Sequence, residues 1–126
     1  MATEQSLHTI SLEADANLAA SQYRAVVLSG DGQAALAGAS VNILGILQDD
    51  PAAAGRAATI GIHGISIVEA GAAFAVGANL STDADGQLVT TPGAGSVPIV
   101  ALALQAAGAA TERVRALLGF RGLGAA

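Results

Sequence analysis

Apolar and polar residues alternate along this chain in short runs that are separated by glycine- and aspartate-rich turns. Residues 7–12, LHTISL, alternate strictly, which predicts a half-buried strand. The apolar run 23–29 ends at a Gly-Asp-Gly turn, and the run 41–47 is followed by Pro51, which has no amide hydrogen for a strand ladder. The whole pattern predicts roughly eight to ten short strands, which is typical of a small sandwich or barrel.

The same order of runs and turns occurs twice. Residues 18–64 contain an apolar run ending in serine, a turn closing on DGQ at positions 31–33, and a second run leading to Gln48. Residues 73–120 repeat this order, with DGQ at positions 85–87 and a run leading to Gln105. Self-similarity of this kind indicates a duplicated structural unit.

The duplication predicts the domain organisation. We expect a single all-β domain over residues 7–120, a compact β-barrel or β-tulip-like fold built from two similar β-rich halves. A flexible N-terminal arm, residues 1–6, and a C-terminal tail, residues 121–126, lie outside it. We further expect the two copies to form two halves of one barrel, with two separately packed hairpin sets as the alternative.

One segment is ambiguous between helix and strand. Residues 99–118 are rich in Ala, Leu, Arg and Glu, a composition that favours a helix. Superimposing residues 58–62 on 114–118 instead puts Val114, Ala116 and Leu118 at inward positions of a strand. Because equivalent parts of a duplicated unit should share a backbone conformation, we predict strand, with a short helix over residues 106–113 as the alternative.

Composition excludes several classes of function. The chain is 52% hydrophobic but only 12% charged, against about 25% charged for an average soluble protein. A domain this small buries a limited share of its surface, so we expect a partner or further copies to cover some apolar area. The net charge of −5 argues against nucleic acid as a ligand, and no apolar run reaches the roughly 18 residues of a membrane helix.

The sequence contains no convincing active or metal site. Asp83 and Asp85 resemble the start of a calcium loop, but the third acidic residue and the closing glutamate are missing, so we interpret the segment as a turn. Asp49 and Asp50 would point to opposite faces of a strand, and the two histidines, at positions 8 and 63, lack the spacing of a metal or triad motif. There is no cysteine. We predict that the protein is not an enzyme and uses no cofactor or metal.

Several segments together resemble a known family. They are AVVLSGDGQ at 25–33, ILGILQDDPAAAG at 43–55, GISIV at 64–68, GANLSTDADGQLV at 77–89 and VRALLG at 114–119. Their order is similar to that in the small capsid cement, or decoration, proteins of tailed bacteriophages. The resemblance covers about residues 7–120 and rests on turns and apolar runs rather than on a catalytic signature.

The resemblance implies a structural virion protein that is made in the host cytoplasm and binds the outer surface of the expanded capsid. The implied partner is the major capsid protein, and the implied assembly is a trimer near three-fold positions of the shell. Family motifs identify no contact residues. From the position of residues 2–8 and 120–126 at the two ends of the chain, we predict capsid or subunit contacts from Thr3, Gln5, His8, Phe120 and Arg121.

The alternative function is a non-catalytic β-barrel module that binds carbohydrate or a receptor on a virion or cell surface. Sugar sites usually need aromatic platforms, and the chain has only Tyr23, Phe74 and Phe120 to offer. An enzyme is the least favoured class, because no nucleophile is paired with a base.

Overall fold

The computed structural model describes residues 6–38, 42–92 and 98–119. Within these ranges the chain is all-β, as predicted, with nine strands and no helix. In chain order the strands are β1 (Leu7–Ala14), β2 (Ala25–Gly30), β3 (Gln33–Leu36), β4 (Ile43–Leu47), β5 (Ala57–Glu69), β6 (Asn79–Thr82), β7 (Leu88–Thr90), β8 (Ala101–Ala103) and β9 (Arg113–Leu118).

The ambiguous C-terminal segment forms strands. Its residues pair as β8 and β9, and Val114, Ala116 and Leu118 are buried, so the strand prediction is confirmed. The alternative of a short helix over residues 106–113 is wrong. Residues 104–112 form bends and turns, with one bridge between Ala107 and Phe74. The pairing of β9 with β5 and β8 therefore prevails over the local helix preference of Ala, Leu, Arg and Glu.

The first five strands close into a barrel. β1 pairs with β5, β5 with β4, β4 with β2, and β2 with β3, all antiparallel. β3 then returns to β1 in parallel, through the pairs Glu13 with Gln33 and Ala14 with Ala34. Closure leaves no open edge within this ring of strands.

The remaining strands extend from β5. This strand is 13 residues long, and Gly64 within it pairs with Leu7 of β1 on one side and with Leu118 of β9 on the other. From β9 the sheet continues through β8 and β6 to β7, and one parallel bridge joins Leu88 of β7 to Ala70, just beyond β5. The expectation of two halves of one barrel is wrong, because the first five strands close among themselves and share only β5 with the second ring.

Backbone hydrogen bonds recur at equivalent places in the two rings. Ala14 ends the parallel pairing of the first ring, and its N–H donates to the carbonyl of Arg56 at 2.8 Å. Ala70 makes the parallel bridge of the second ring, and its N–H donates to the carbonyl of Glu112, also at 2.8 Å. Ala70 lies 56 positions after Ala14, and Glu112 lies 56 positions after Arg56.

The buried apolar residues form two clusters. The cluster of the first barrel consists of Ala14, Leu18, Val26, Ala34, Leu47, Ala58 and Ile60. The larger cluster lies mostly in the second ring, with Val68, Phe74, Leu80, Leu88, Val114 and Leu118 and several alanines, and it extends to Ala25 of β2 and Ile46 of β4 in the first barrel. Alternate inward residues on short strands thus fill both interiors, as expected for narrow rings of strands.

Candidate functional site

The predicted contact residues fall mostly on the two ends of the chain. His8 lies on β1 and is exposed. Thr3, Gln5, Phe120 and Arg121 lie outside the described residues. The nearest described positions are Ser6 and Gly119, and these show where the two terminal segments meet the fold.

His8 lies directly opposite His63 in the pairing of β1 with β5. The sequence separates these two histidines, the only ones in the chain, by 55 positions, but the strand register makes them neighbours. Both are exposed, and a β-bulge shifts the register between His8 and Thr9. Sequence reasoning considered each histidine alone and missed the pair, since cross-strand register is not visible in the sequence.

Both terminal segments meet the fold beside the middle of β5. The carbonyl of Ser6 accepts a 2.9 Å hydrogen bond from the N–H of Ile65 on one side of this strand. On the other side a Cβ added to Gly119 would lie 3.4 Å from Cδ2 of His63. The arm and the tail therefore join the described fold at one place, next to the histidine pair.

A second exposed area lies where β9 begins beside the end of β5. It consists of Tyr23, Ile67, Arg113 and Arg115, which we call the Tyr23 surface. The guanidinium of Arg113 lies over the Tyr23 ring, 4.9 Å from its centroid, a cation–π arrangement. Ile67 is 37% exposed and lies between polar neighbours in two shallow grooves that also contain Tyr23 and Arg115.

Beneath this surface Glu69 is the centre of a polar network. Its Oε2 accepts hydrogen bonds from Nε of Arg24 at 2.7 Å and from Nε2 of Gln87 at 2.9 Å. Nε of Arg113 lies 3.7 Å from the other carboxylate oxygen. Because Glu69 is only 7% exposed, these partners replace the water that a free carboxylate would bind. The network links both rings and holds Arg113 beside Tyr23.

The environment lowers the pKa of Glu69 below its ordinary value. Burial by itself would raise this pKa, because it penalises the charged form. The hydrogen bonds from Gln87 and Arg24, together with the charges of Arg24 and Arg113, outweigh burial. Glu69 is therefore a carboxylate that its partners keep ionised. Sequence reasoning did not single it out, although a lone acid in the apolar run 65–70 was a usable signal.

Two of the acids that the sequence offered as candidates, Asp49 and Asp83, have local structural roles. Oδ1 of Asp83 accepts the N–H groups of Asp85 at 2.9 Å and Gln87 at 3.0 Å, which closes the turn. Oδ1 of Asp49 accepts the N–H of Thr59 at 3.1 Å. Within residues 6–38, 42–92 and 98–119, no three side chains of His, Cys, Asp or Glu are grouped as a metal site would require.

The described aromatic side chains offer no open platform for a sugar. Phe74 is 6% exposed, and the ring of Tyr23 is half-buried and covered by Arg113. Among the strands and turns described above, no helix exists that is long and apolar enough to cross a membrane.

Comparison with known families identifies the class of protein. A family model described as "Phage cement protein" matches residues 4–118, which is nearly the whole chain. The chain belongs to the phage cement protein family. As a cement protein it is a structural, capsid-associated component of the virion, which confirms the class of function that the resemblance implied.

A solved structure supports the fold of this cement protein. The chain is similar to "the crystal structure of head fiber gp8.5 N base in bacteriophage phi29", with a TM-score of 0.62 and 18% sequence identity. The match covers 90% of this chain and 94% of the phi29 chain. No curated protein matches the chain.

Proposed function

We propose that this cement protein binds the outer surface of the expanded phage capsid, through the major capsid protein, and stabilises the shell as a homotrimer. The observation that carries the proposal is the family match over residues 4–118. The protein is made in the host cytoplasm and acts by binding alone. Its apolar composition is consistent with a chain that part of an assembly covers.

The capsid contact is made by residues 2–8 and 120–126 at the two ends of the chain, through Thr3, Gln5, His8, Phe120 and Arg121. Support comes from the positions of Ser6 and Gly119, which flank the same stretch of β5. Two segments that start at one place can reach neighbouring capsid subunits together. His8, on the described surface between them, adds an imidazole that is exposed to a partner.

Stabilisation follows from many weak contacts rather than from one tight site. Each subunit of a trimer touches a different part of the shell, so the second and third contacts form at a high effective concentration. A protein that binds only the expanded lattice also favours that lattice by mass action. The summed contacts then oppose the outward pressure of packaged DNA.

Co-sedimentation with purified heads tests the proposal. We expect the chain to sediment with expanded heads at a fixed ratio to major capsid protein and not with unexpanded heads. Heads that carry the chain should also release DNA at a higher temperature than bare heads. Equal heat resistance with and without the chain would contradict the stabilising role.

A set of variants tests the contact residues. Removal of residues 1–5, or His8→Ala, should weaken binding to expanded heads, because each removes part of the proposed contact. Thr90→Ala is the matched control, since Thr90 is an exposed strand residue on β7 in the other ring. Binding that is unchanged by the arm deletion would exclude the arm as a contact.

A further inference from the structure

Tyr23 has a backbone conformation that normally favours glycine. Its φ is 66°, and the equivalent residue of the second ring is Gly77, with a φ of 81°. The equivalence is visible in the hydrogen bonds. The N–H of Tyr23 donates to Leu47 at 2.7 Å, and that of Gly77 donates to Ala103 at 2.8 Å. Since glycine serves this backbone position in one ring, the strained backbone of Tyr23 in the other points to a role for its side chain, which is partly buried against the larger apolar cluster.

That side chain is part of a cationic surface. The Tyr23 surface includes or adjoins three arginines, Arg24, Arg113 and Arg115. This local positive charge contrasts with the net charge of −5 on the whole chain. Glu69 neutralises part of this charge through Arg24 and Arg113. In the part of the chain that the structure describes, no carboxylate lies within 4.0 Å of Arg115. A half-buried aromatic ring beside arginine, an exposed aliphatic side chain and an arginine without a carboxylate partner together favour a partner rich in carboxylates.

An acidic surface of that kind exists on the chain itself. Glu13, Asp15 and Asp31 are exposed, and the N–H of Glu13 donates to the carbonyl of Gly32 in the turn after β2. We call these three residues the acidic end. The backbone of Arg56 lies nearby, because its carbonyl accepts the N–H of Ala14.

The two surfaces lie beyond opposite ends of one strand. Tyr23 comes two residues before β2, and Asp31 follows its last residue. Six residues of extended chain span about 20 Å, so the cationic and acidic areas are well separated on one molecule. The molecule therefore presents two different and oppositely charged surfaces, the acidic end and the Tyr23 surface.

We propose that the Tyr23 surface of one copy binds the acidic end of a second copy of this chain. Like charges disfavour contact of the Tyr23 surface with itself about a two-fold axis. The contact is therefore heterologous, and repetition closes it into a ring or extends it into an open chain. A closed ring of three copies would be the trimer that we propose on the capsid. Only this step of the inference rests on the proposed function.

Charge reversal with sedimentation velocity tests the contact in the full-length chain. Arg115→Glu and Asp31→Arg should each raise the dissociation constant for self-association at least about tenfold, because each places like charges in contact. The double variant R115E/D31R restores opposite charges and should return to within about threefold of the wild type. Arg115→Lys and Asp31→Glu keep the charges and serve as matched controls.

Two further measurements separate the aromatic from the charged contribution. Tyr23→Asn removes the ring while tolerating the left-handed backbone, and should also weaken self-association. High salt should weaken the wild-type contact and have less effect on R115E. The proposal is wrong if the wild type stays monomeric at every concentration or forms a two-fold dimer. It is also wrong if R115E/D31R does not recover the self-association of the wild type.

Binding to expanded heads is measured separately on the same variants. If R115E leaves self-association unchanged but weakens binding to heads, the Tyr23 surface faces the shell and the second-copy contact is wrong. If neither the wild type nor any variant binds heads, the proposed function is wrong. Sedimentation velocity then still shows whether two copies of the chain bind each other through these surfaces.

Discussion

Nε of Arg24 and Oε2 of Glu69 form a 2.7 Å ion pair between the segment that enters β2 and the last residue of β5. The pair is largely shielded from water, with side-chain exposures of 24% and 9%. Because β5 belongs to both rings, this pair and the hydrogen bond from Gln87 fix how the rings meet. Removal of Arg24 leaves a buried carboxylate without its main counter-charge, and removal of Glu69 leaves the partly exposed Arg24 without its counter-charge.

We predict that Glu69→Ala lowers the free energy of unfolding by about 3 kcal/mol, the order expected when one partner of a buried ion pair is removed. Glu69→Gln keeps the side-chain shape and one acceptor, and should cost about half as much. Urea unfolding at neutral pH measures both values. The control Asp50→Asn changes an exposed carboxylate, and its effect should stay within about 0.5 kcal/mol. A loss for Glu69→Ala as small as that of the control would contradict the structural role of the network.

The lowered pKa of Glu69 predicts a specific pH dependence. A carboxyl whose pKa is lower in the folded than in the unfolded state stabilises the fold fully above the unfolded pKa, here near 4.5. This contribution is lost as pH falls through the folded pKa, because the unfolded state then takes up the proton first. The wild type should therefore lose stability faster than Glu69→Gln once the pH drops below about 4.5. Parallel stability curves for the two proteins in acid would contradict the assignment.

Thr111 is a second residue with a left-handed backbone, at φ 69°, and its equivalent in the first ring is Gly55, at φ 86°. Their N–H groups make matching hydrogen bonds, Thr111 to Ala70 at 2.7 Å and Gly55 to Ala14 at 2.9 Å. We predict that Thr111→Gly raises the midpoint of thermal unfolding, with a gain of about 1 kcal/mol, because a β-branched residue is strained there.

The reciprocal change Gly55→Thr should destabilise by a similar amount. The nearest atom to a Cβ at Gly55 is 3.9 Å away, so the cost would come from the backbone rather than from crowding. Equal stability of both variants and the wild type would show that the φ angle carries no cost at these turns.

Gly45 lies where β4 and β5 approach closely. A Cβ at this position would overlap the carbonyl oxygen of Gly61, a backbone atom that cannot move without breaking the strand pairing. We predict that Gly45→Ala lowers the free energy of unfolding by about 3 kcal/mol, the upper end of the usual range for overpacked sites, or prevents folding. Circular dichroism during urea unfolding measures the loss.

Gly61→Ala is the matched control for this glycine, on the facing strand. Its Cβ would meet the ends of flexible side chains, Nε2 of Gln48 at 2.9 Å and Cδ1 of Leu7 at 3.0 Å, which can move. The cost should be below about 1.5 kcal/mol. A control that is as destabilising as Gly45→Ala would show that side-chain crowding, not backbone overlap, governs this interface.

Much of the fold could be predicted because it depends on local patterns. Strict alternation in residues 7–12 identified β1, and the two DGQ turns located the β2–β3 and β6–β7 hairpins. The duplication also corrected a misleading local signal, since residues 113–118 form β9 despite their helix-favouring composition. These predictions succeeded because side-chain period and turn chemistry are properties of neighbouring residues.

The contacts between distant residues could not be predicted in the same way. The pairing of His8 with His63 depends on strand register, and the convergence of Arg24, Gln87 and Arg113 on Glu69 depends on how two rings share one strand. No local sequence pattern indicates that Tyr23 and Thr111 occupy positions of positive φ.

An all-β chain with duplicated turns, few charges and an apolar excess could be read from the amino-acid sequence alone, and the resemblance of its segments to those of cement proteins pointed to the family. The folded structure was needed to show that the strands form two rings sharing β5 and that both terminal segments join the fold beside one strand. It was also needed to show that Arg24, Arg113 and Arg115 lie around Tyr23. The reason is physical. Periodicity and turns act over a few residues, whereas register, ring closure and charge clustering arise from contacts between residues tens of positions apart, which only the folded backbone brings together.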